Sequence, residues 1–123
     1  MVVFNRLGEL GQLGNQLFQV AATISHAHRM GAPHRVNSWE YNKWLLNPVD
    51  DSLDTTYDDI FEGVEHELIH HPQCHYVPIP SGKNQILLGY FQSERYFESD
   101  LVARHLAPGN ILMKQVRDAG RGL

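Results

Sequence analysis

The sequence predicts an α/β fold with a mostly parallel sheet, and three observations support this fold class. Short apolar runs at Val2–Phe4 and at residues 85–91 are typical of buried strands. A glycine-rich loop and a helical pattern follow the first run, and a second helical pattern follows the second run. Strands that alternate with helices form layered α/β domains. We therefore expect one domain over residues 1–113 and a frayed tail over residues 114–123.

The first helix is predicted from apolar residues at i, i+3 and i+4 spacing that begin at Gln16. Asn15 is a suitable N-cap for this helix, and Gly31 followed by Pro33 predicts its end. The loop before the helix carries glycines at a three-residue period, namely Gly8, Gly11 and Gly14. The sequence therefore predicts a strand, a glycine loop and a helix in that order.

The middle of the chain gives weaker patterns. His34–Val36 is predicted as a short second strand, and residues 39–44 as a loop or short helix that carries two tryptophans. Residues 50–59 are acidic and predict a surface turn, followed by a helical turn around Tyr57, Ile60 and Phe61. Prolines at 72, 78 and 80 then indicate a loop.

The second helix is predicted after the strand at residues 85–91. Apolar side chains recur at helical spacing from Tyr96 to Leu106, with Ser93 as the N-cap and Pro108-Gly109 as the end.

Composition limits the partners and the compartment. The 123-residue chain is 42% hydrophobic and carries a formal charge of −4, without a run of Lys or Arg. Nucleic acids and polybasic membrane sites both need a concentrated positive potential, so we expect no nucleic-acid partner. The sequence shows no signal peptide and no stretch apolar enough to span a bilayer, so we expect a cytoplasmic chain. Peripheral contact with a membrane stays open. The single cysteine, Cys74, is interpreted as a packing residue.

The glycine loop has two physical interpretations. A helix N-terminus presents unpaired N–H groups and a partial positive charge, and glycines before it let the backbone approach an anion. The spacing fits neither the dinucleotide fingerprint nor a P-loop. The amides of Asn15 and Gln16 can donate to phosphate or sugar oxygens. Alternatively, the glycines form a tight structural turn and Asn15 only caps the helix.

Two segments resemble a known family. "GQLGNQLFQVAA" at residues 11–22 resembles the amino-terminal signature of the α-1,2-fucosyltransferases, glycosyltransferase family 11. "LLGYFQSERYF" at residues 87–97 resembles the second recurring segment of that family. The resemblance implies the Rossmann-like half of a two-domain, B-type glycosyltransferase. It also implies inverting, metal-independent transfer of L-fucose from GDP-fucose to a galactoside 2-hydroxyl.

The resemblance also implies roles for individual residues. From the first segment, Gly11, Leu13, Gly14, Asn15 and Gln16 would lie beside the donor pyrophosphate and fucose. From the second, Tyr90, Phe91, Gln92, Ser93 and Glu94 would end a strand at the same crevice. Glu94 is the only carboxylate in either segment and is the candidate base for the acceptor hydroxyl. An exposed first-turn residue that favours the helix dipole is the alternative interpretation of Glu94.

The chain departs from the family in one respect. Family members carry a downstream His-x-Arg-Arg-x-Asp-Tyr segment whose arginines hold the GDP phosphates, and this sequence contains no Arg-Arg pair. We therefore expect the amino-terminal part of an enzyme, whose partners are a nucleotide sugar and a glycan acceptor. A missing carboxy-terminal domain would leave strand edges exposed and favour self-association. A domain that binds nucleotide sugar or glycan without transferring anything is the alternative function.

A third hypothesis comes from "HELIHH". His66-Glu67-x-x-His70 matches H-E-x-x-H, which on a helix would place two imidazoles on one face for zinc and supply Glu67 as a base. Pro72 disfavours helical geometry at His71, and the third ligand is unassigned among His75, His105 and Glu98. Weak metal binding by His66, His70, His71 and His75, or a solvated histidine-rich turn, are the alternatives to a zinc peptidase.

Overall fold

The computed structural model describes residues 1–9, 11–53, 58–72 and 75–107. Its strands are β1 (Val2–Phe4), β2 (His34–Val36), β3 (Glu67–His71) and β4 (Gln85–Gly89). Its α-helices are α1 (Leu13–Met30) and α2 (Ser99–His105), and 3₁₀ turns cover Asn42–Trp44, Asp58–Phe61 and Glu94–Tyr96. The predictions for Tyr57, Cys74, Pro108-Gly109 and the tail at residues 114–123 concern positions outside the described residues.

The four strands form one sheet in the order β2-β1-β4-β3, and every pair is parallel. The predicted α/β class with a parallel sheet is confirmed, and the strands expected at Val2–Phe4 and His34–Val36 are present. The strand expected over residues 85–91 is present but ends at Gly89, because the backbone of Phe91 turns to a positive φ. All four carboxyl ends therefore lie along one edge of the sheet. We call this the carboxyl edge.

The two faces of the sheet are covered differently. One face packs Val2, Phe4 and Leu87 against α1, whose Val20 and Ile24 are buried. α2 packs beside α1, with Phe97 tilted against Phe18 at 5.6 Å between ring centroids. The other face packs Val3 and Ile86 against Leu53, Phe61 and Ile60. In the described part of the chain, both α-helices thus belong to one layer.

The first helix starts earlier than the sequence predicts. Its N-cap is Gln12, which makes no side-chain capping hydrogen bond, and Asn15 lies in the first turn. The predicted capping role of Asn15 is therefore wrong, because the helix already includes Leu13 and Gly14. The predicted end is confirmed, since Gly31 adopts the left-handed conformation with a φ of 63°.

The second helical pattern is split. Ser93 caps as predicted, but it caps the 3₁₀ turn Glu94–Tyr96, and Phe97 is extended before α2 begins. Tyr96 explains the break, because its ring is 1% exposed and its hydroxyl accepts a hydrogen bond from the Val77 N–H at 2.8 Å. Anchoring this ring in the core competes with a continuous helix.

The histidine-rich segment forms a strand, which corrects the helix that the zinc hypothesis requires. Glu67–His71 pairs with β4 along its whole length. Ile69 and His71 are buried, whereas Leu68 and His70 are exposed. This alternation is typical of a strand, and the parallel ladder stabilises it over the helix or turn that the local sequence suggested.

Candidate functional site

The candidate site lies on the carboxyl edge between β1 and β4. After β1 the chain passes through α1 to β2, which lies on one side of β1 in the sheet. β4 and then β3 lie on the other side of β1. This is the switch point of an open parallel sheet, where such folds bind ligands. The loop after β1 and residues 90–94 after β4 both reach this point. We call them together the switch-point site.

One hydrogen bond joins the two segments of the site. The side-chain amide of Gln92 donates to Oδ1 of Asn15, although the two residues are 77 positions apart in sequence. Gln92 is exposed and Asn15 is half-buried, so both amides border solvent. The structure therefore brings together two of the residues that the sequence singled out.

Gln16 holds the glycine loop. Its Nε2 donates to the carbonyl of Gly11 at 3.2 Å, and its Oε1 accepts from the indole Nε1 of Trp39 at 2.9 Å. The side chain is 7% exposed. Because both of its polar atoms already bind protein groups, Gln16 positions the loop rather than presenting a free amide.

Gly11 permits a close approach that no other residue allows. Its φ is +124°, and an added Cβ would lie 2.9 Å from Cβ of Asn15. Gly14, in contrast, is an ordinary helical position with open space around it. Leu13 begins the helix and is 38% exposed. Of these sequence-predicted residues, Gly11 is the one whose backbone requires glycine.

The loop is also held from β2, by a residue that sequence reasoning missed. Asn37 accepts from the N–H of Leu7 at 2.8 Å and donates to its carbonyl at 3.0 Å, so its amide pairs with Leu7 as a strand would. Asn37 is 8% exposed. An asparagine directly after a predicted strand was the available signal, since that position falls on the carboxyl edge.

The backbone after β4 is strained. Phe91 has a φ of +52°, an uncommon conformation for a bulky residue, yet its side chain is 1% exposed. Its ring packs against Phe4, Tyr96 and His71, with centroid distances of 6.4, 5.3 and 5.5 Å. This aromatic packing holds the turn, and so fixes where Gln92 projects.

The remaining predicted residues surround that turn. Tyr90 is half-buried, and Oγ of Ser93 accepts from the backbone N–H of Arg95 at 3.2 Å. Glu94 is exposed and opens the 3₁₀ turn. Glu94 is therefore the last residue of the switch-point site, and its side chain is exposed to solvent.

The sequence suggests His71 only as a metal ligand, whereas in the structure His71 packs against the residues that hold the turn after β4. It ends β3, and its Nδ1 lies 3.4 Å from the Tyr96 hydroxyl. Burial lowers the pKa of His71, and the neighbouring His70 lowers it further by charge repulsion. The imidazole packs against the rings of both Phe91 and Tyr96, with centroid distances of 5.5 and 6.3 Å.

The electrostatics at the amino end of α1 suit an anion. The first turn of α1 contains no acidic residue, and its leading N–H groups face the loop end of the helix. With a helix dipole of 18 residues behind them, these groups favour a negative charge at the mouth of the loop.

The H-E-x-x-H residues are engaged elsewhere. Nδ1 of His66 donates to the carbonyl of Val64 at 2.7 Å, and Glu67 accepts from Nε2 of Gln85 at 2.9 Å. Within the described ranges, no three His, Cys, Asp or Glu residues are grouped to hold a metal ion. The residues present therefore do not fit a zinc peptidase centre.

No helix in the described part of the chain has the length and apolar character needed to cross a bilayer.

Comparison of the chain with protein families, with curated proteins and with solved structures finds no match. The function therefore has to be inferred from the residues and their contacts.

Proposed function

We propose that this chain is the amino-terminal, Rossmann-like half of an inverting α-1,2-fucosyltransferase, and that the switch-point site forms one wall of its GDP-fucose site. The observation that carries the proposal is the hydrogen bond between Gln92 and Asn15. Each residue belongs to one of the two segments that resemble the family. Two segments that resemble one enzyme family separately, and that meet at the ligand-binding edge of a parallel sheet, support a shared role.

The geometry suits a pyrophosphate. Gly11 and the first turn of α1 offer backbone N–H groups without side-chain obstruction. In fucosyl transfer the bond between C1 of fucose and the phosphate oxygen breaks, and the acceptor oxygen bonds to C1 from the opposite face. Negative charge then grows on the departing GDP, so fixed N–H donors stabilise the transition state more than the ground state. No metal ion is needed for this stabilisation.

The acceptor hydroxyl must also lose its proton. Glu94 is the only carboxylate in the two segments that resemble the family, and its exposure leaves it accessible to an acceptor. We therefore assign the proton to Glu94. Replacing Glu94 with Gln should abolish transfer while leaving donor binding unchanged.

Isothermal titration of GDP-fucose into the chain, with EDTA present, tests the donor site. We expect saturable heat, and we expect Asn15→Ala to weaken binding at least tenfold, because a charge-assisted hydrogen bond to phosphate contributes about 1.5–3 kcal/mol. Asn84→Ala is the matched control, since Asn84 lies beside the amino end of β4 and bonds to Met1 and Glu65 instead. Equal binding by both variants, or no heat at millimolar donor with a folded chain, would contradict the proposal.

A second candidate function is donor binding without transfer. It is favoured by the lack of an Arg-Arg pair in this sequence, because without those positive charges the departing GDP is less stabilised and transfer slows, while the contacts of the glycine loop remain. Incubation with GDP-fucose and lactose separates the two functions. Fucosyl-lactose formed by the chain would exclude the binding-only function, whereas saturable GDP-fucose binding without product would favour it.

A further inference from the structure

An apolar cavity of about 340 Å³ lies beside the first turn of α1. Three aromatic residues and four leucines line it, and the aromatic ones are Trp39, Tyr41 and Trp44. Its size falls within the range of ordinary small-molecule pockets. Apart from Leu13, which the family resemblance places beside the donor, the donor site proposed above does not use the residues of this cavity.

The cavity adjoins the switch-point site. Leu13 and Leu17 line it from α1, at i and i+4, and Gln16 lies between them on the same side of the helix. Gln16 bonds to Gly11 in the glycine loop and to Trp39 in the cavity wall. One buried side chain thus fixes the loop and the cavity in a single arrangement.

The walls of the cavity are preformed. Trp39 is 4% exposed, with its indole N–H bound to Gln16, and its ring meets that of Tyr41 edge-on at 6.4 Å. The Lys43 ammonium lies 5.1 Å from the ring centre of Trp44. The N–H of Leu46, which follows the lining residue Leu45, donates to the carbonyl of Ala107 at 2.8 Å. Such a lining favours an apolar ring over a hydrated group.

We infer that this cavity binds an apolar ring carried by the acceptor, that is, the aglycone of a galactoside whose sugar lies at the switch-point site. The inference rests on the proposed function and names a substrate class for it. A bare sugar would leave the aromatic walls wet, whereas an aryl aglycone buries them.

The chain supplies its own probes, because its two tryptophans both line the cavity. The indole N–H signals of Trp39 and Trp44 in an amide NMR spectrum report on occupancy. We would titrate phenyl β-D-galactoside and methyl β-D-galactoside into the full chain. The phenyl compound should shift both signals and bind about tenfold more tightly than the methyl compound, since it buries one more apolar ring.

Adjacent leucines provide a matched pair of variants. Leu45 lines the cavity and is half-buried, whereas Leu46 is 53% exposed and lies outside the lining. Leu45→Arg should weaken phenyl galactoside binding about tenfold, and Leu46→Arg should leave it unchanged. Equal affinities for the two galactosides, or equal effects of the two variants, would overturn the inference.

GDP-fucose titrated into the same samples separates this inference from the proposed function. Donor binding at residues 11–16 without phenyl galactoside binding would overturn the cavity assignment and leave the proposed donor site standing. Phenyl galactoside binding without donor binding would overturn the assignment of the ring to a fucosyl acceptor. Binding of both, with the phenyl preference, supports the inference.

Discussion

At the scale of single residues, side-chain amides do much of the work of shaping the candidate site. Asn37 pairs with the backbone of Leu7, and Gln16 links Gly11 to Trp39. Because each amide supplies both a donor and an acceptor, it can replace a strand neighbour where the ladder ends. The described residues of the glycine loop are therefore held in place although they belong to no helix or strand.

Sequence reasoning identified Gln16 but not what it binds. Its position after the glycines suggested a ligand, and the structure gives it two protein partners. Trp39 lies 23 residues further along the chain, and the partner of a side chain at that distance depends on tertiary packing that local patterns do not encode. Asn37 had a local signal in its position directly after a predicted strand, but its partner Leu7, 30 residues away, likewise depends on tertiary packing.

Gly11 gives a prediction at this scale. Gly11→Ala should lower the free energy of unfolding by about 1–3 kcal/mol, since the new Cβ meets Asn15 in a backbone conformation that disfavours L-residues. Urea denaturation measures this loss. Gly14→Ala, at an open helical position, should instead be neutral or slightly stabilising. A Gly11→Ala loss no greater than that of Gly14→Ala would contradict this account of the loop.

Buried histidines predict a pH dependence. Burial is the largest effect on His26 and lowers its pKa. The hydrogen bond to Gln85 raises this pKa, and the charge of Arg29 lowers it. Burial likewise lowers the pKa values of His34 and His71. The unfolded chain then binds protons more readily than the folded one. The contribution of these histidines to stability is complete above 6.5, their pKa in the unfolded chain, and is lost as the pH falls below that value.

We therefore expect the free energy of unfolding to fall between pH 7 and pH 5, by at most about 1.4 kcal/mol per pH unit for each histidine. Denaturation at several pH values measures the slope. His26→Gln should reduce it, because Gln85 Oε1 then accepts from a group that does not titrate. His28→Gln, on the exposed part of the same helix, is the matched control. An unchanged slope in His26→Gln would contradict the role given to His26.

At the scale of elements, the sequence predicted strands and α1 more successfully than it predicted the segments between them. β1 and β4 are short apolar runs, which are typical of buried strands. The apolar residues of α1 keep helical spacing over many residues, and a glycine follows its last residue. The "HELIHH" segment has helical spacing of its histidines, but its pairing with β4 decides the outcome. The sequence predicted Ser93 as a cap. It did not predict that the capped element is only the short 3₁₀ turn Glu94–Tyr96, because that length depends on how Tyr96 packs.

The pairing of β3 with β4 at their carboxyl ends, where Gly89 lies opposite His71, leads to a prediction about stability. Gly89 ends β4 with a φ of +146°, and an added Cβ would lie 2.8 Å from the carbonyl carbon of His71. Gly89→Ala should destabilise the fold by about 3 kcal/mol, since both the conformation and the space are unfavourable. Gly63→Ala isolates the conformational part, because Gly63 has a φ of +77° and open space.

Chemical denaturation of both variants tests this prediction. Gly63→Ala should cost only about 1 kcal/mol. If the two variants lost the same stability, the close approach between the two strands would not contribute.

At the scale of the whole molecule, the sheet ends at β3 on one side. In the described ranges no further strand pairs with its outer edge, and Leu68 is 51% exposed there. Such an edge favours pairing with another chain. The molecule as described is thus an α/β unit whose carboxyl edge carries the candidate site and whose β3 edge is open.

We expect this edge to promote self-association of the isolated chain. Sedimentation velocity over a range of concentrations should show dimers or larger species, and Leu68→Lys should shift the chain towards monomer by adding a charge at the edge. Leu46→Lys, at a similarly exposed leucine away from the sheet, is the control. A monomer at every concentration, or an equal effect of the two variants, would contradict the expectation.

The proposed function requires residues 11–16 and 90–94 to form one donor-binding site, which amide NMR during a GDP-fucose titration can show. We predict that signals from both segments shift together and saturate at the same donor concentration, while residues 65–67 and 81–84 at the opposite end of the sheet stay unchanged. Shifts confined to one segment, shifts centred on the opposite end, or no shift at millimolar donor would contradict the claim.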